Sequence, residues 1–178
     1  ALTELMGSSD RPLHVSGMDA AVFFDQLALP GHLRTVMGRP TVVIQELLKG
    51  HLGEEGFTWS EVCAFISDGG LVDSLSTVVP LSCVWPMGFG WSSFVGQTFM
   101  TDCVQAAGFG AEDFLTEEGS IASNPDVSVS VATDDVLHFL RGSVAEIGLL
   151  SEPPLTCLER VFRERGVALN RDKSFDLQ

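Results

Sequence analysis

The sequence predicts an α+β fold in which an antiparallel sheet carries helices packed on one of its faces. Three observations predict it. Short runs alternate apolar with polar or small residues, as half-buried strands do; other apolar residues recur at helical spacing; and 45% of the 178 residues are hydrophobic, enough for a real core. No repeat or linker divides the sequence, so we predict a single domain over residues 1–178.

The first segments alternate between extended and helical patterns. Residues 12–19 mix small and apolar side chains and predict a short buried strand. Residues 20–30 predict a turn or short helix, followed by an extended segment that ends at Pro30. In residues 41–50 a β-branched start gives way to a helix that Gly50 stops.

The middle of the chain combines an irregular region with a long helix. Residues 45–80 contain a helical stretch and a Gly-Gly pair that interrupts regular structure, and they are predicted to form an insertion. Residues 81–86 predict a strand, and a tight turn then leads into a helix over residues 91–108. The core face of this helix is predicted from four apolar residues at helical spacing: Trp91, Phe94, Val95 and Phe99.

The second half continues with a loop, a hairpin and a helix. Residues 108–126 are acidic and contain glycines, which predicts a loop. In residues 127–140 valines at alternate positions predict a strand that returns after a bend at two adjacent aspartates. Residues 155–166 predict an amphipathic helix ended by Gly166, and residues 167–174 a short strand and turn.

The charge of the chain is acidic and unevenly distributed. Ten Lys and Arg residues stand against 24 Asp and Glu residues, a net charge of −14. No basic residue other than histidine lies between Lys49 and Arg141. Because proteins that grip phosphate backbones usually carry a basic surface, this composition alone argues against nucleic-acid binding.

Cysteine usage and the apolar runs indicate a compartment. The four cysteines are scattered and form no CxxC pair, which favours buried thiols in a reducing compartment over zinc or disulfides. The longest apolar run is broken by Pro86 and by glycines, and no signal pattern opens the sequence. We therefore expect an intracellular protein, cytoplasmic or nuclear, without a membrane partner.

Three aspartates occupy positions that suggest metal chemistry. Asp134 and Asp135 are adjacent at a predicted bend, and Asp19 ends a predicted buried strand, where an unpaired charge would be costly. If that strand lies beside the hairpin, the three carboxylates supply the oxygen ligands that Mg²⁺ prefers. On the residues alone, a solvated turn for the pair and a helix N-cap for Asp19 are the alternatives.

Four blocks of the sequence resemble, in order, the motifs of the palm of reverse transcriptases of the retroelement type. GMDAAVFFDQLALP resembles motif A, and PMGFGWSSFVGQ resembles motif B with its Pro-x-Gly-aromatic turn. ATDDVLHF resembles the Asp-Asp hairpin of motif C, and RVFRERGVALNRDKS resembles motif D. The four blocks span nearly the whole chain, so the resemblance implies that the α+β fold is a reverse-transcriptase-like palm.

The resemblance implies two-metal nucleotidyl transfer. Asp19 and Asp134 would coordinate two Mg²⁺ ions, for which Mn²⁺ could substitute. Asp135 would be a further ligand or a supporting charge, and the backbone carbonyl of Ala20 would be another metal ligand. Lys173, in motif D, would act as an acid toward the leaving pyrophosphate.

The resemblance also implies how the incoming nucleotide is bound. The backbone amides of Val22 and Phe23 would face the triphosphate. Phe24 would lie beneath the sugar and exclude a ribose 2′-hydroxyl by its bulk, so that deoxynucleotides are selected. Met87 and Gly88 would lie against the nucleotide, Gly88 because a side chain there would block the approach of the backbone.

The implied partners are an RNA or DNA template with its primer, and dNTPs. Gly88, Ser92 and Gln97 would form or support the primer–template surface. In the family, fingers precede the palm and a thumb follows it, and both carry much of the basic surface. We therefore expect the chain to be a palm fragment that lacks its fingers and thumb and is inactive alone.

Some positions depart from the family's pattern. Motif C usually has an aromatic residue where Ala132 stands, and the chain contains no Tyr. Motif B often has Gln at Met87, and motif A often has a polar residue at Val22. These departures leave open a decayed or domesticated palm that serves as a binding or scaffold module. An RNA-directed RNA polymerase palm shares the Asp-Asp hairpin, but Phe24 disfavours it.

Overall fold

The computed structural model describes residues 9–50, 55–66, 70–116, 126–143, 145–146 and 154–177. The helices and strands in these ranges are, in chain order, β1 (Leu13–Asp19), α1 (Phe23–Gln26), α2 (Gly31–Arg34), β2 (Val42–Val43), α3 (Ile44–Lys49), α4 (Trp59–Phe65), β3 (Thr77–Val78), α5 (Gly90–Ala106), β4 (Val127–Ala132), β5 (Asp135–Arg141), α6 (Pro154–Glu164) and β6 (Phe175–Leu177). Helices and small antiparallel sheets are mixed, which confirms the predicted α+β class.

The chain divides into two compact units. One unit comprises Ala1–Leu27 and Trp85–Gln178, and the other comprises Ala28–Val84. The predicted insertion over residues 45–80 lies inside the second unit. Organisation as a single domain with an insertion stays a prediction.

The first unit is built on a four-stranded antiparallel sheet in the order β4–β5–β1–β6. β4 and β5 form the predicted hairpin, and β5 runs along the whole of β1. β1 was predicted from its run of small and apolar residues, β4 from period-two patterning, and β5 as the return arm of the hairpin. β6 was not predicted: the expected strand in residues 167–174 is reduced to a single bridge between Leu169 and Ala20, and pairing with β1 begins only at Phe175.

The core of this unit lies between one face of the sheet and the helices α5 and α6. Met18 of β1 and Val136 of β5 are partners across the sheet, and both pack in one cluster with Met100 of α5 and Phe162 of α6. Full burial of an apolar side chain of this size contributes about 1.5–3 kcal/mol. This shared cluster holds the two Asp-bearing strands against the helices.

The buried face of α5 differs from the prediction. Trp91 and Phe94 are 63% and 62% exposed and pack edge-to-face on each other, with ring centroids 5.8 Å apart. Val95 and Phe99 are half-buried. The helix instead buries a row that includes small residues, which allows close packing on the sheet: Ser92, Gly96, Met100, Cys103 and Val104.

The second unit contains a two-stranded sheet, β2–β3, with α3 and α4 beside it in sequence. The predicted end of α3 at Gly50 is confirmed, since Gly50 has a positive φ of 69°. The predicted strand over residues 81–86 is wrong. Leu81 and Val84 form only isolated bridges, to Gly38 and Ala28, because no neighbouring segment pairs with them in register.

The cysteine and membrane predictions have different outcomes. Cys103 is buried, as predicted, and Cys157 is half-buried, but Cys63 and Cys83 are exposed. The thiol prediction is wrong for the last two because a single cysteine carries no periodicity that would assign it to a buried face. Across the ranges that the structure describes, no helix is both long and apolar enough to cross a bilayer.

Replacing Thr58 by Ala is expected to lower the free energy of unfolding of α4 by about 1 kcal/mol. The Thr58 hydroxyl accepts a hydrogen bond from the Glu61 amide at 3.3 Å, and the Glu61 carboxylate accepts one from the Thr58 amide at 2.8 Å, which forms a capping box. Urea denaturation followed by helical circular dichroism measures the loss. Ser60→Ala, in the same turn but outside the box, is the matched control and should change little.

The Thr58 effect should also depend on pH. Hydrogen bonds from the backbone and side chain of Thr58 lower the pKa of Glu61 below its ordinary value of 4.5. A depressed carboxylate pKa stabilises the folded state above pH 4.5, and this contribution disappears as the pH falls through the folded-state pKa. The difference between the wild type and Thr58→Ala should therefore shrink in acid; a constant difference would contradict the charged capping box.

Candidate active site

Two of the predicted aspartates face each other across the central pair of strands. Asp19, the last residue of β1, is the register partner of Asp135, the first residue of β5. Asp19 is buried, at 7% exposure, whereas Asp135 is exposed. Antiparallel pairing brings the end of one strand beside the start of the other, which is why carboxylates so distant in sequence meet.

Asp134 lies in the turn between β4 and β5, next to this pair. Its carbonyl oxygen accepts a hydrogen bond from the Ala20 amide at 3.0 Å, which ties the turn to the end of β1. The sequence predicted both aspartates at the bend, but only Asp134 is there, because Asp135 already pairs in β5. The preceding residue, Thr133, has a φ of 56°, a left-handed conformation that β-branched residues rarely adopt.

The electrostatics of the cluster are those of crowded like charges. Partial desolvation, the charge of Asp134 and the hydrogen bond with Asp19 raise the pKa of Asp135 above its ordinary value. Two unit charges 4 Å apart near a protein surface repel by about 4 kcal/mol. Lys173 partly offsets this repulsion, because its Nζ lies 3.3 Å from Asp19 Oδ1. The cluster therefore favours cations.

An open cavity of about 360 Å³ lies over these residues, on the sheet face opposite the core. Apolar and charged side chains both line it, and Phe175 of β6 packs over the α-carbon of Gly17. The cavity is therefore lined by both charged and apolar groups. Its lining consists of Gly17, Met18, Asp19, Asp135, Leu137, Lys173 and Phe175.

The donor set suits a hard divalent cation. Mg²⁺ prefers carboxylate and carbonyl oxygens and usually keeps several waters, so it needs only one or two carboxylates from the protein. Asp19 and Asp135 supply two from paired positions of neighbouring strands, and Asp134 is the adjacent residue in the turn. Among the residues that the structure describes, no group of three or more His, Cys, Asp or Glu side chains is arranged as a ready-made metal cage. The described residues therefore offer carboxylates of the kind that Mg²⁺ prefers, without a complete cage.

The segment that follows β1 carries the residues predicted to face a nucleotide. Ala20 is buried and Val22 is 73% exposed, with a left-handed φ of 42°. α1 begins at Phe23, and the amides at the start of a helix have no acceptor within the helix. The Phe23 side chain is in the core at 3% exposure. The Phe24 ring is half-buried and packs on Phe23 with centroids 5.7 Å apart.

The turn before α5 is exposed, and a buried side chain of α5 is hydrogen-bonded to its backbone. Met87 is 83% exposed, and Gly88 has a φ of 86°, which disfavours other residues there. A Cβ on Gly88 would meet no atom within 4 Å, so the backbone conformation alone accounts for the glycine in this structure. Ser92 is 1% exposed and donates a hydrogen bond to the Pro86 carbonyl at 2.7 Å. Ser92 therefore supports the turn and does not itself form a binding surface.

Two glutamines contribute in ways that the sequence did not reveal. The Gln97 side chain binds the β4–β5 turn, donating to the Val131 carbonyl and accepting from the Thr133 amide. The Gln26 side chain accepts from the Ala168 amide at 2.6 Å and donates to the Ala21 carbonyl. Polar residues on helices carry no pattern that tells such contacts from solvation, so only the fold reveals them.

No protein-family model and no curated protein matches this sequence. The palm resemblance therefore stays a prediction, and it is supported only by the motifs and by the placement of their residues.

Proposed function

We propose that this chain is the catalytic palm of an RNA-directed DNA polymerase, resembling the reverse transcriptases of retroelements. It would add dNTPs to the 3′-hydroxyl of a primer paired with an RNA or DNA template. In this proposal the four-stranded sheet of the first unit, with α5 and α6 on one of its faces, would form the palm.

One observation carries this proposal: residues of three separate motifs meet at one cavity. Asp19 of motif A, Asp135 of motif C and Lys173 of motif D line it together. The fourth motif contributes Gln97, which is hydrogen-bonded to the motif C turn. If the likeness of the four short blocks were due to chance, nothing would bring the blocks together in the fold. Their convergence therefore supports the resemblance.

In the proposed reaction Asp19, Asp134 and Asp135 hold the cations, with the Ala20 carbonyl as a further ligand. Two bound Mg²⁺ ions would activate the 3′-hydroxyl and neutralise charge on the triphosphate. The carboxylates form no covalent bond to the substrate. The Lys173 ammonium would leave Asp19 and donate a proton to the leaving pyrophosphate oxygen.

The nucleotide would lie between α1 and the turn before α5. The amides of Val22 and Phe23 at the start of α1 would donate to phosphate oxygens. The ring of Phe24 would restrict the space at the sugar 2′ position. Met87 and Gly88, which are both exposed, would contact the base pair.

A non-catalytic scaffold is the second candidate. The Lys173–Asp19 ion pair favours it, because an internal cation already compensates the buried carboxylate. The net charge of −14 also favours it, because such a charge opposes nucleic acid. Calorimetric titration separates the two candidates: a palm binds Mg²⁺ or Mn²⁺ at the aspartates, and a scaffold with a satisfied ion pair does not.

The direct test is primer extension with dNTPs and Mg²⁺. It is carried out with this chain and with the longest protein that contains it, on RNA and DNA templates. Template-dependent extension supports the proposal. Absence of both metal binding and extension in the longer protein would overturn it in favour of the scaffold.

Replacing Lys173 by Met is expected to tighten Mg²⁺ binding by up to about fivefold. The Lys173 side chain of this pair is 67% exposed, so we take the range for solvent-accessible ion pairs, about 0.2–1 kcal/mol, and a metal must displace the ammonium from Asp19. Calorimetric titration of the chain with MgCl₂ measures the change. Lys49→Met, which removes an exposed lysine of the second unit, is the control. Weaker binding by Lys173→Met than by this control would contradict the competition.

A further inference from the structure

The Gln97 side chain links α5 to the β4–β5 turn, which bears Asp134 and leads into Asp135. Its amide nitrogen donates to the Val131 carbonyl at 2.9 Å, and its carbonyl oxygen accepts from the Thr133 amide at 2.7 Å. These two backbone groups lie on either side of Ala132, at the entry to the turn. One donor and one acceptor on the hairpin fix the orientation of the glutamine amide, and both of its polar atoms are used.

The turn that Gln97 holds is strained. Thr133 is one of two non-glycine residues with a positive φ in the described part of the chain, and both lie beside the candidate site. A β-branched residue adopts this conformation only when its surroundings enforce it. The hydrogen bond to the Thr133 amide is part of that enforcement, because it fixes the peptide group that carries the strained φ.

Close packing lets Gln97 reach the hairpin. Gly96, the residue before it, is buried between α5 and the sheet. A Cβ at this position would lie 2.9 Å from the Phe23 ring and 3.3 Å from the Thr133 methyl group. The absence of a side chain at residue 96 therefore allows the helix to approach both the segment after β1 and the β4–β5 turn.

We propose that Gln97 is a positioning residue that fixes the turn carrying Asp134 and leading into Asp135 of β5, and so sets how these carboxylates meet Asp19. This inference rests on the proposed function, since it assigns Gln97 an effect on metal binding and turnover. Because its amide is engaged by the hairpin, Gln97 acts through the aspartates and not by contact with the primer or template.

The test compares Gln97→Met, which keeps length and loses both hydrogen bonds, with Gln97→Glu and with Gln105→Met. Gln105 lies on the exposed side of the same helix and is the matched control. Amide hydrogen exchange at Thr133 should accelerate by about three- to tenfold in Gln97→Met, the range that one hydrogen bond supports. Gln97→Glu keeps the acceptor for the Thr133 amide, so exchange there should stay close to that of the wild type.

The functional readouts are Mn²⁺ affinity and the division between kcat and KM. Gln97→Met should weaken Mn²⁺ binding by about three- to tenfold and lower kcat for extension, with the KM for primer–template unchanged. Unchanged amide exchange at Thr133 would show that the Gln97 hydrogen bonds do not hold the turn. Faster exchange with unaltered Mn²⁺ affinity would overturn the positioning role.

The failure of this inference is distinguishable from that of the proposed function. If the wild type binds no Mn²⁺ and extends no primer, the polymerase proposal and the effect on turnover both fall. In that case, faster amide exchange at Thr133 in Gln97→Met would still show that Gln97 holds the β4–β5 turn. A raised KM for primer–template with unchanged kcat would overturn positioning in favour of direct contact.

Discussion

Asp134→Asn is expected to lower primer extension by about 10²–10³-fold, the range for removing one electrostatic stabiliser from a catalytic site. Asparagine keeps the shape of the side chain but loses the charge that holds a divalent cation. The turn itself should survive, because the contact from residue 134 to the Ala20 amide uses the backbone carbonyl. The measurement is the rate of dNTP incorporation at saturating Mg²⁺ by the longest protein that contains this chain.

The same substitution should leave the metal-free fold at least as stable. The charge of Asp134 raises the pKa of Asp135, so the two carboxylates repel each other in the folded state. Removing one charge from the pair relieves this repulsion. Activity and thermal stability should therefore respond differently, which separates a lost metal ligand from a damaged fold.

Asp25→Asn provides the matched control for this prediction. Asp25 is an exposed carboxylate of α1, within the motif A block but outside the aspartate cluster. Its replacement should leave extension within about twofold, since surface substitutions away from such features usually change little. Extension that survives Asp134→Asn would rule out the assigned metal site, and equal losses in both variants would point to a general charge effect.

The extent to which the sequence predicted the fold depends on how much of each element is buried. β1 was predicted from a run of small and apolar residues, β4 from valines at alternate positions, and β5 as the return strand of the hairpin. β6 was missed, because its three residues are too few to show a period. The buried face of α5 was assigned wrongly, because the aromatic pair Trp91 and Phe94 stays at the surface while small residues are buried.

The sequence predicted which residues form the candidate site better than it predicted how they are arranged. The sequence identified Asp19, Asp134 and Asp135, but it could not establish that Asp135 is the register partner of Asp19. Register is fixed by the two-residue turn, and one residue more or less would exchange the roles of the adjacent aspartates. The contacts of Gln97 depend on the distance between a helix and a hairpin, which no local pattern encodes.

Phe24→Ala is expected to reduce discrimination against ribonucleotides by about 10²-fold, measured as the ratio of kcat/KM for dNTP to that for rNTP. The proposed exclusion is steric: the half-buried ring occupies space beside the start of α1. A hydrophobic wall rejects an added hydroxyl through lack of room, so removing the wall removes the rejection. Incorporation of dNTPs should fall less than incorporation of rNTPs rises.

The main complication is stability, because the ring also packs on Phe23. Truncation of a fully buried Phe to Ala lowers the free energy of unfolding by about 3–5 kcal/mol, and truncation of a half-buried one by about half of that.

Phe114→Ala is the matched control, since Phe114 is likewise half-buried against the core but forms its bridge to Val129 in β4. Altered sugar selection in Phe24→Ala alone would support exclusion. Equal change in both variants would show that loosened packing, and not the ring, sets the selection. Unchanged selection in both would assign Phe24 to the core and reopen the case for a palm that accepts ribonucleotides.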